Sequence, residues 1–274
     1  MKPNSPLSKE SAVRVAMHAS EASGHWWTKR GELIEQVMKV DGSGYTRCTL
    51  AHARKLDLAP GCTTIIGCAD KPALTLWKQR QAIMAALTLP RRDSETEKEW
   101  MDRVEDDMSE TAANAAAVGS AIHAAIQSYV GGHDYDPAYK VHVRGAIDEL
   151  SRVLGQQVWH AEQSVVSRLG VATKVDMVSN TWILNWKSKD GDATALADLN
   201  VYDDHEMQSG FEMDCLNWRH RAAIGFVSRT HPGVTRIVEI KQDELRRGFE
   251  MFKCLTKFWQ TKNRFRPSWA TESP

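Results

Sequence analysis

No stretch of this chain approaches the roughly 18 uninterrupted apolar residues that a membrane-spanning helix requires. The polar start, Met1-Lys-Pro-Asn-Ser-Pro-Leu-Ser8, lacks the apolar core of a signal peptide. Cysteine is sparse. Cys48, Cys62, Cys68, Cys215 and Cys254 are odd in number and include no CxxC pair. That pattern argues against a disulfide framework and against a cysteine zinc site. A reducing compartment is the simplest reading, and a soluble, cytoplasmic protein the expectation. Net charge is missing too. Lys plus Arg and Asp plus Glu stand at 35 each, so no global field draws the chain to nucleic acid. A polyanion would have to be held by a local patch. Internal repeats and low-complexity blocks are also absent.

What is present is an ordinary globular composition, 42% hydrophobic and 26% charged over 274 residues. It suffices for one large domain, or for a core with an extra lobe. A loose tail is expected over 1–10, with helices over 11–20 and 29–40. Asp41-Gly-Ser-Gly44 is a turn by composition. Another helix is expected over 49–58, a short β-rich run over 62–68, and a helix from Pro72, suited to a first helical position, to about Leu87. Pro90-Arg91-Arg92 breaks it. Residues 93–110 hold nine acidic side chains against Lys98 and Arg103, which reads as a solvated helix face. From Thr111 an alanine-rich helix carries the stripe Val118, Ile122, Ala125, Ile126 and Tyr129, and Gly131-Gly132 ends it. The small residues beside His123 would let another element approach closely. A helix over 137–154, a strand over 158–168, the hairpin described next, a long helix over 198–224, strands over 225–229 and 234–240 and a helix over 243–263 complete the order. This is an α/β chain with a mixed central sheet flanked by helices. A mostly helical N-terminal lobe over 1–110 and a core over 111–274 form the expected division.

The chemistry is expected to centre on Gly170–Lys189. Strands over 171–178 and 182–187 meet at Ser179-Asn180-Thr181. Side chains on a strand alternate with a period of two, so adjacent strands can present Asp176, Asn185 and Lys187 on one surface. A carboxylate, an oxygen donor on the next strand and a lysine two residues on suit Mg²⁺ or Mn²⁺ and a phosphate oxygen. The lysine could orient or deprotonate an attacking water, or neutralise charge at the phosphate. Glu162 could supply a further oxygen and His123 an imidazole. Taken singly, each has a plainer account: an exposed cross-strand ion pair, a solvent-facing strand residue, a packed histidine.

Together the motifs resemble the PD-(D/E)XK nuclease superfamily, in its RecB-like and phage-exonuclease branch. They are Gly119-Ser-Ala-Ile-His123, Glu162, Gly170-Val-Ala-Thr-Lys-Val-Asp176, Ile183-Leu-Asn-Trp-Lys187-Ser and His205-Glu-Met-Gln208, in the branch's order, over about 105–230. Lys71-Pro-Ala-Leu-Thr-Leu-Trp77 resembles the lead-in of phage members, and Phe249, Phe252, Phe258 and Trp259 their closing helix. The resemblance implies a Mg²⁺- or Mn²⁺-dependent phosphodiester hydrolase acting on DNA, a phage-type exonuclease working at double-stranded ends. Carried over, Asp176 binds the metal, Lys187 is the catalytic lysine, His123 the helical histidine and Gln208 the glutamine near DNA or the metal. Glu162 and position 185 would complete the metal site.

Two positions depart from the pattern. Position 185 should be acidic and is Asn, which offers a neutral oxygen and no charge. Either the chain is a disabled or divergent member, or it carries a deliberate, nearly isosteric Asp→Asn change that holds substrate without cutting. Position 212, where the branch has tyrosine, is Glu. The alternative function is a DNA-binding or recombination-assembly protein that kept the fold and lost the chemistry. A third is a platform for a single-strand annealing protein. Related phage exonucleases form rings around DNA, so a homo-oligomer is compatible with the resemblance. Residues 241–266 hold eight basic side chains against three acidic ones. Arg246, Arg247, Lys253 and Lys257 are candidates for phosphate contact, with the interleaved aromatics read as core.

Overall fold

The computed structural model describes residues 25–274; the tail and helix expected over 1–20 lie outside them. The helix expected over 29–40 is replaced by short strands: β1 (Trp26–Trp27), β2 (Leu33–Ile34) and β3 (Gln36–Met38). Gly31, at φ 84°, lets the chain reverse between β1 and β2, where its N–H reaches the Thr28 carbonyl at 3.0 Å. Glycine occupies that left-handed region without the cost a side chain incurs. The reversal buries Trp26, Trp27, Ile34 and Val37, a gain no isolated helix here would match. The Asp41–Gly44 turn closes β3 onto β4 (Tyr45–Arg47). Then come α1 (Leu50–Leu56), β5 (Ala59–Pro60) and α2 (Cys62–Ile66). The β-rich run expected over 62–68 is thus corrected to a short helix. Folded that way, Cys62, Ile65 and Ile66 turn to one side and are buried.

α3 (Pro72–Thr88) starts at the proline, as expected. α4 (Glu97–Val130) is one unbroken helix through the acidic segment and across residue 110. Thr96 and Glu99 cap it reciprocally: the Thr96 N–H donates to Glu99 Oε2 at 2.8 Å and the Glu99 N–H to Thr96 Oγ1 at 3.2 Å. A 3-10 turn, Pro137–Tyr139, leads into α5 (Lys140–Leu154). The chain continues through β6 (His160–Val166), β7 (Ala172–Val178), β8 (Trp182–Lys189), α6 (Ala193–Ala197), α7 (Asp203–Cys215), β9 (Arg221–Ser228), β10 (Thr235–Ile240) and α8 (Gln242–Asn263). The long helix expected to reach Ile224 therefore stops at Cys215. Asn217 and Trp218, at φ 57° and 54°, turn the chain so that Ala222, Ala223, Ile224, Phe226 and Val227 form a strand buried on both faces.

The protein is an α/β fold. Its main sheet runs β10-β9-β8-β7-β6, with β8–β9 parallel and the other pairs antiparallel. One face packs Met177, Trp182, Leu184 and Trp186 against α4 and α5 through Ile122, Ile126, Val143 and Leu150. The other packs Val178, Ile183, Ile224 and Phe226 against α6, α7 and α8 through Leu196, Met213 and Leu245. The N-terminal strands join a third cluster, in which Trp26, Ile34 and Ile65 meet Phe211, Phe252 and Trp259. Among the described residues, no helix is long and apolar enough to cross a membrane.

Candidate functional site

The site forms where β7 and β8 part. Their pairing is Met177↔Leu184 and Val178↔Ile183. Beyond it the Asp176 carboxylate bridges the gap, Oδ2 accepting the Trp186 N–H at 2.8 Å. On its other edge β8 pairs continuously with β9, including Asn185↔Ile224 and Lys187↔Phe226. Asn185 is thereby fixed in a central strand with no exposed surface. Over it lies α7, which sets His205, Gln208 and Glu212 on one face by their spacing of three and four. The opposite face meets α8 at glycines. A Cβ on Gly210 would strike the backbone of Leu245 and Phe249, and one on Gly248 the backbone of Glu206.

A directional hydrogen-bond chain joins strand and helix. Lys187 Nζ donates to Gln208 Oε1 at 3.0 Å. Gln208 Nε2 donates to Asn185 Oδ1 at 3.1 Å and to Glu212 Oε1 at 3.0 Å. Asn185 Nδ2 donates to Glu212 Oε2 at 2.6 Å. Glu212 is fully buried. Burial pushes its carboxyl up to about 8, against the opposing pull of the Asn185 and Gln208 amides.

Beside this chain is a cavity of about 80 Å³ bordered by Thr63, Lys71, Lys187, Asp204, His205 and Gln208. Lys71 pairs with Asp204 at 3.3 Å. Burial works against the Asp204 charge, yet His205, Lys71 and Lys187 hold it below the ordinary carboxylate range. Burial, and then the Lys187 charge, bring His205 down to about 4 against the pull of Asp204. His205 is therefore neutral near pH 7, and its Nδ1 accepts the Tyr202 N–H at 3.3 Å. Burial also lowers Lys189.

The structure brings Asp176, Asn185, Lys187 and Gln208 together. It does not bring Glu162. Between the Ala161↔Met177 and Gln163↔Val175 pairs of the β6–β7 register, Glu162 takes a left-handed φ of 58°. Its exposed carboxylate goes to Lys174 at 2.6 Å. His123 is half-buried on α4, one turn after Gly119, where a Cβ would collide with Ser188 of β8. That close approach matches the expectation from the small residues around it. Arg246, Arg247, Lys253 and Lys257 lie on α8, which meets the side of α7 turned away from Asn185. There Arg247 is paired with Asp203 at 2.9 Å and Glu206 at 2.5 Å. Lys253 is paired with Glu250 at 2.8 Å, Arg246 stacks over Trp218, and Lys257 is exposed.

As hydrogen-bonded here, the residues do not make a divalent-ion site. Both ends of the Asn185 amide are committed, Glu162 is tied to Lys174, and Glu212 lies beneath the amide with both oxygens accepting. Among the described residues, no group of three or more His, Cys, Asp and Glu is placed to hold a metal. The residues to which sequence reasoning assigned no role at the site are Glu212, Lys71, Asp204 and His205. Glu212 had a signal: a lone carboxylate one turn after Gln208, between Phe211 and Met213. The Lys71–Asp204 contact had none, because nothing local relates the two.

No family model matches the chain, and no curated protein matches it. Among solved structures, one described as "Putative exonuclease" from Eubacterium rectale is similar at 12% identity and a TM-score of 0.39, covering 54% of this chain and 68% of that one. Another, SSO0001, is similar at 12% identity and a TM-score of 0.30, covering 66% and 86%.

Proposed function

We propose that this chain binds DNA through a site of the nuclease type and, with Asn185 in it, cuts weakly or not at all. What supports the reading is the meeting of Asp176, Asn185, Lys187 and Gln208 at the opening between β7 and β8, joined by the Lys187–Gln208–Asn185–Glu212 chain. An ammonium has three donors. With one donor engaged by Gln208, Lys187 keeps others for a phosphate oxygen, and Lys71 borders the same cavity. Neutral His205 and Gln208 can orient such a group without adding charge. A phage-type exonuclease reading, with Mg²⁺ or Mn²⁺ at Asp176, requires charge at position 185 and so belongs to an acidic form of this site. The specific observation favouring binding over cutting is that both ends of the Asn185 amide are already hydrogen-bonded.

The test uses the full chain and a fluorescent linear duplex with free ends, read by anisotropy. The parent chain should bind, and Lys187→Ala should weaken binding by about tenfold, the loss of one charge-assisted contact. Added Mg²⁺ or Mn²⁺ should yield little or no degradation on a gel. No binding by the parent chain, or equal binding by Lys187→Ala, removes the proposal.

A further inference from the structure

The two positions that depart from the nuclease pattern touch each other. Asn185 Nδ2 and Glu212 Oε2 are 2.6 Å apart, with both residues wholly buried. The polarity of that contact is set from the far end of the chain. The Lys187 ammonium can only donate, so Gln208 must turn its carbonyl to it and its amide inward. That amide donates to position 185, which leaves the 185 NH₂ to donate onward. The group at 212 must accept, and the ionised form of Glu212 accepts at both oxygens.

We infer that Asn185 and Glu212 are one matched pair, in which the acidic group of the site has moved from β8 to α7. Glu212 acts as a positioning residue that holds the 185 amide in place. Asn185 is then the resident partner of Glu212 and not a lost acid, and changing it alone would not rebuild an acidic site. Above about pH 8, where Glu212 is ionised, Asp at 185 would set two carboxylate oxygens against each other in a dry contact. With Gln at 212 alone, one amide donor would meet another. With both changes, every bond is remade: the new amide NH₂ at position 212 donates to the 185 carboxylate, and Gln208 Nε2 keeps both of its acceptors. The charge then stands beside Asp176, where a divalent ion could use it. The consequence for metal applies only if this face is the nuclease-type site proposed above.

The experiment compares the full-length parent, Asn185→Asp, Glu212→Gln and the double variant. Thermal melts are run on each at a pH of about 9, above the Glu212 titration at about 8, with Mn²⁺ titration by calorimetry on each and duplex-DNA anisotropy on the parent. Asn185→Asp should lower the melting temperature by roughly 5–10 °C in the parent. Made in Glu212→Gln, the same change should move it by less than about 2 °C. Failure of Asn185→Asp to fold beside a folded double variant supports the pairing equally. Mn²⁺ binding should appear in the double variant and be at least tenfold weaker in the parent and in Asn185→Asp. Equal cost of Asn185→Asp in both backgrounds overturns the inference. So does Mn²⁺ binding by Asn185→Asp as tight as by the double variant; coupled melts with no Mn²⁺ binding by the double variant keep the pairing and remove the nuclease-type reading of this face. Coupled melts without DNA binding by the parent support the pairing and remove the DNA reading instead.

Discussion

A hydrogen-bond chain that starts at an ammonium and ends at a carboxylate leaves the amides between them no choice of orientation. Gln208 and Asn185 are in that position, and burial makes a wrong choice costly, because an unmet polar group there has no water to turn to. Their neighbour His205 carries a second consequence. Its ring sits between Tyr202 and Phe226 and titrates at about 4 against an ordinary 6.5. A depressed folded value means the contribution is complete above pH 6.5 and is lost as pH falls towards 4. The predicted loss is on the order of 3 kcal/mol. Replacing His205 with Asn, which can still accept the Tyr202 N–H, should flatten that part of a stability–pH curve measured by denaturant melts. A curve with unchanged slope would show that other groups govern it. The alternation of Asp176, Asn185 and Lys187 was legible, because a two-residue period fixes strand faces. Glu212 was visible as a departure but not as a partner, because its meaning depends on a contact between strand and helix.

At the level of elements, α7 is gripped between the sheet and α8. The grip is set by two glycines facing backbone, Gly210 and Gly248. Backbone cannot rotate away as a side chain can. Gly248→Ala should therefore destabilise the protein by about 2–3 kcal/mol despite alanine's better helix propensity. Gly119→Ala, which meets the small side chain of Ser188, should cost less and be relieved by Ser188→Gly. Equal losses in a chemical-denaturation series would show that the α7–α8 crossing can spread. Several elements were readable: the hairpin, α3 from its proline, α5 and α8. The early strands and the first half of β9 were not. Residues 29–40 mix apolar and charged side chains at a spacing compatible with a helix, and burial of Trp26 and Trp27 decides otherwise. The Ala222–Val227 run is buried on both faces, so it has no period to read.

Over the whole molecule, charges balance at 35 and 35, and part of the basic surface among the described residues is locally paired. Arg247 and Lys253 on α8 have acidic partners, as do Arg221 and Arg229 on or beside β9. The cavity at the Lys187 face is bordered by two cations, Lys71 and Lys187, and Lys71 is already paired with Asp204. If DNA binds at the Lys187 face, the slope of log affinity against log salt should be shallow, with a magnitude below about 4. Arg247→Ala with Lys253→Ala should change that slope little. A steep slope that flattens in the double variant would move the DNA contact to α8.

By itself the sequence determined the α/β class, the order of elements from α4 onward apart from α6 and the start of β9, and the strand face carrying Asp176, Asn185 and Lys187. Those features rest on local periodicity, helix-ending glycines and turn composition, which act over a few residues. Tertiary structure alone decided that Glu162 turns away to Lys174, that α8 carries its basic side chains apart from Asn185, and that Glu212 closes on Asn185. Each of these depends on which surfaces exclude water together, and that is set by packing between elements far apart in the chain.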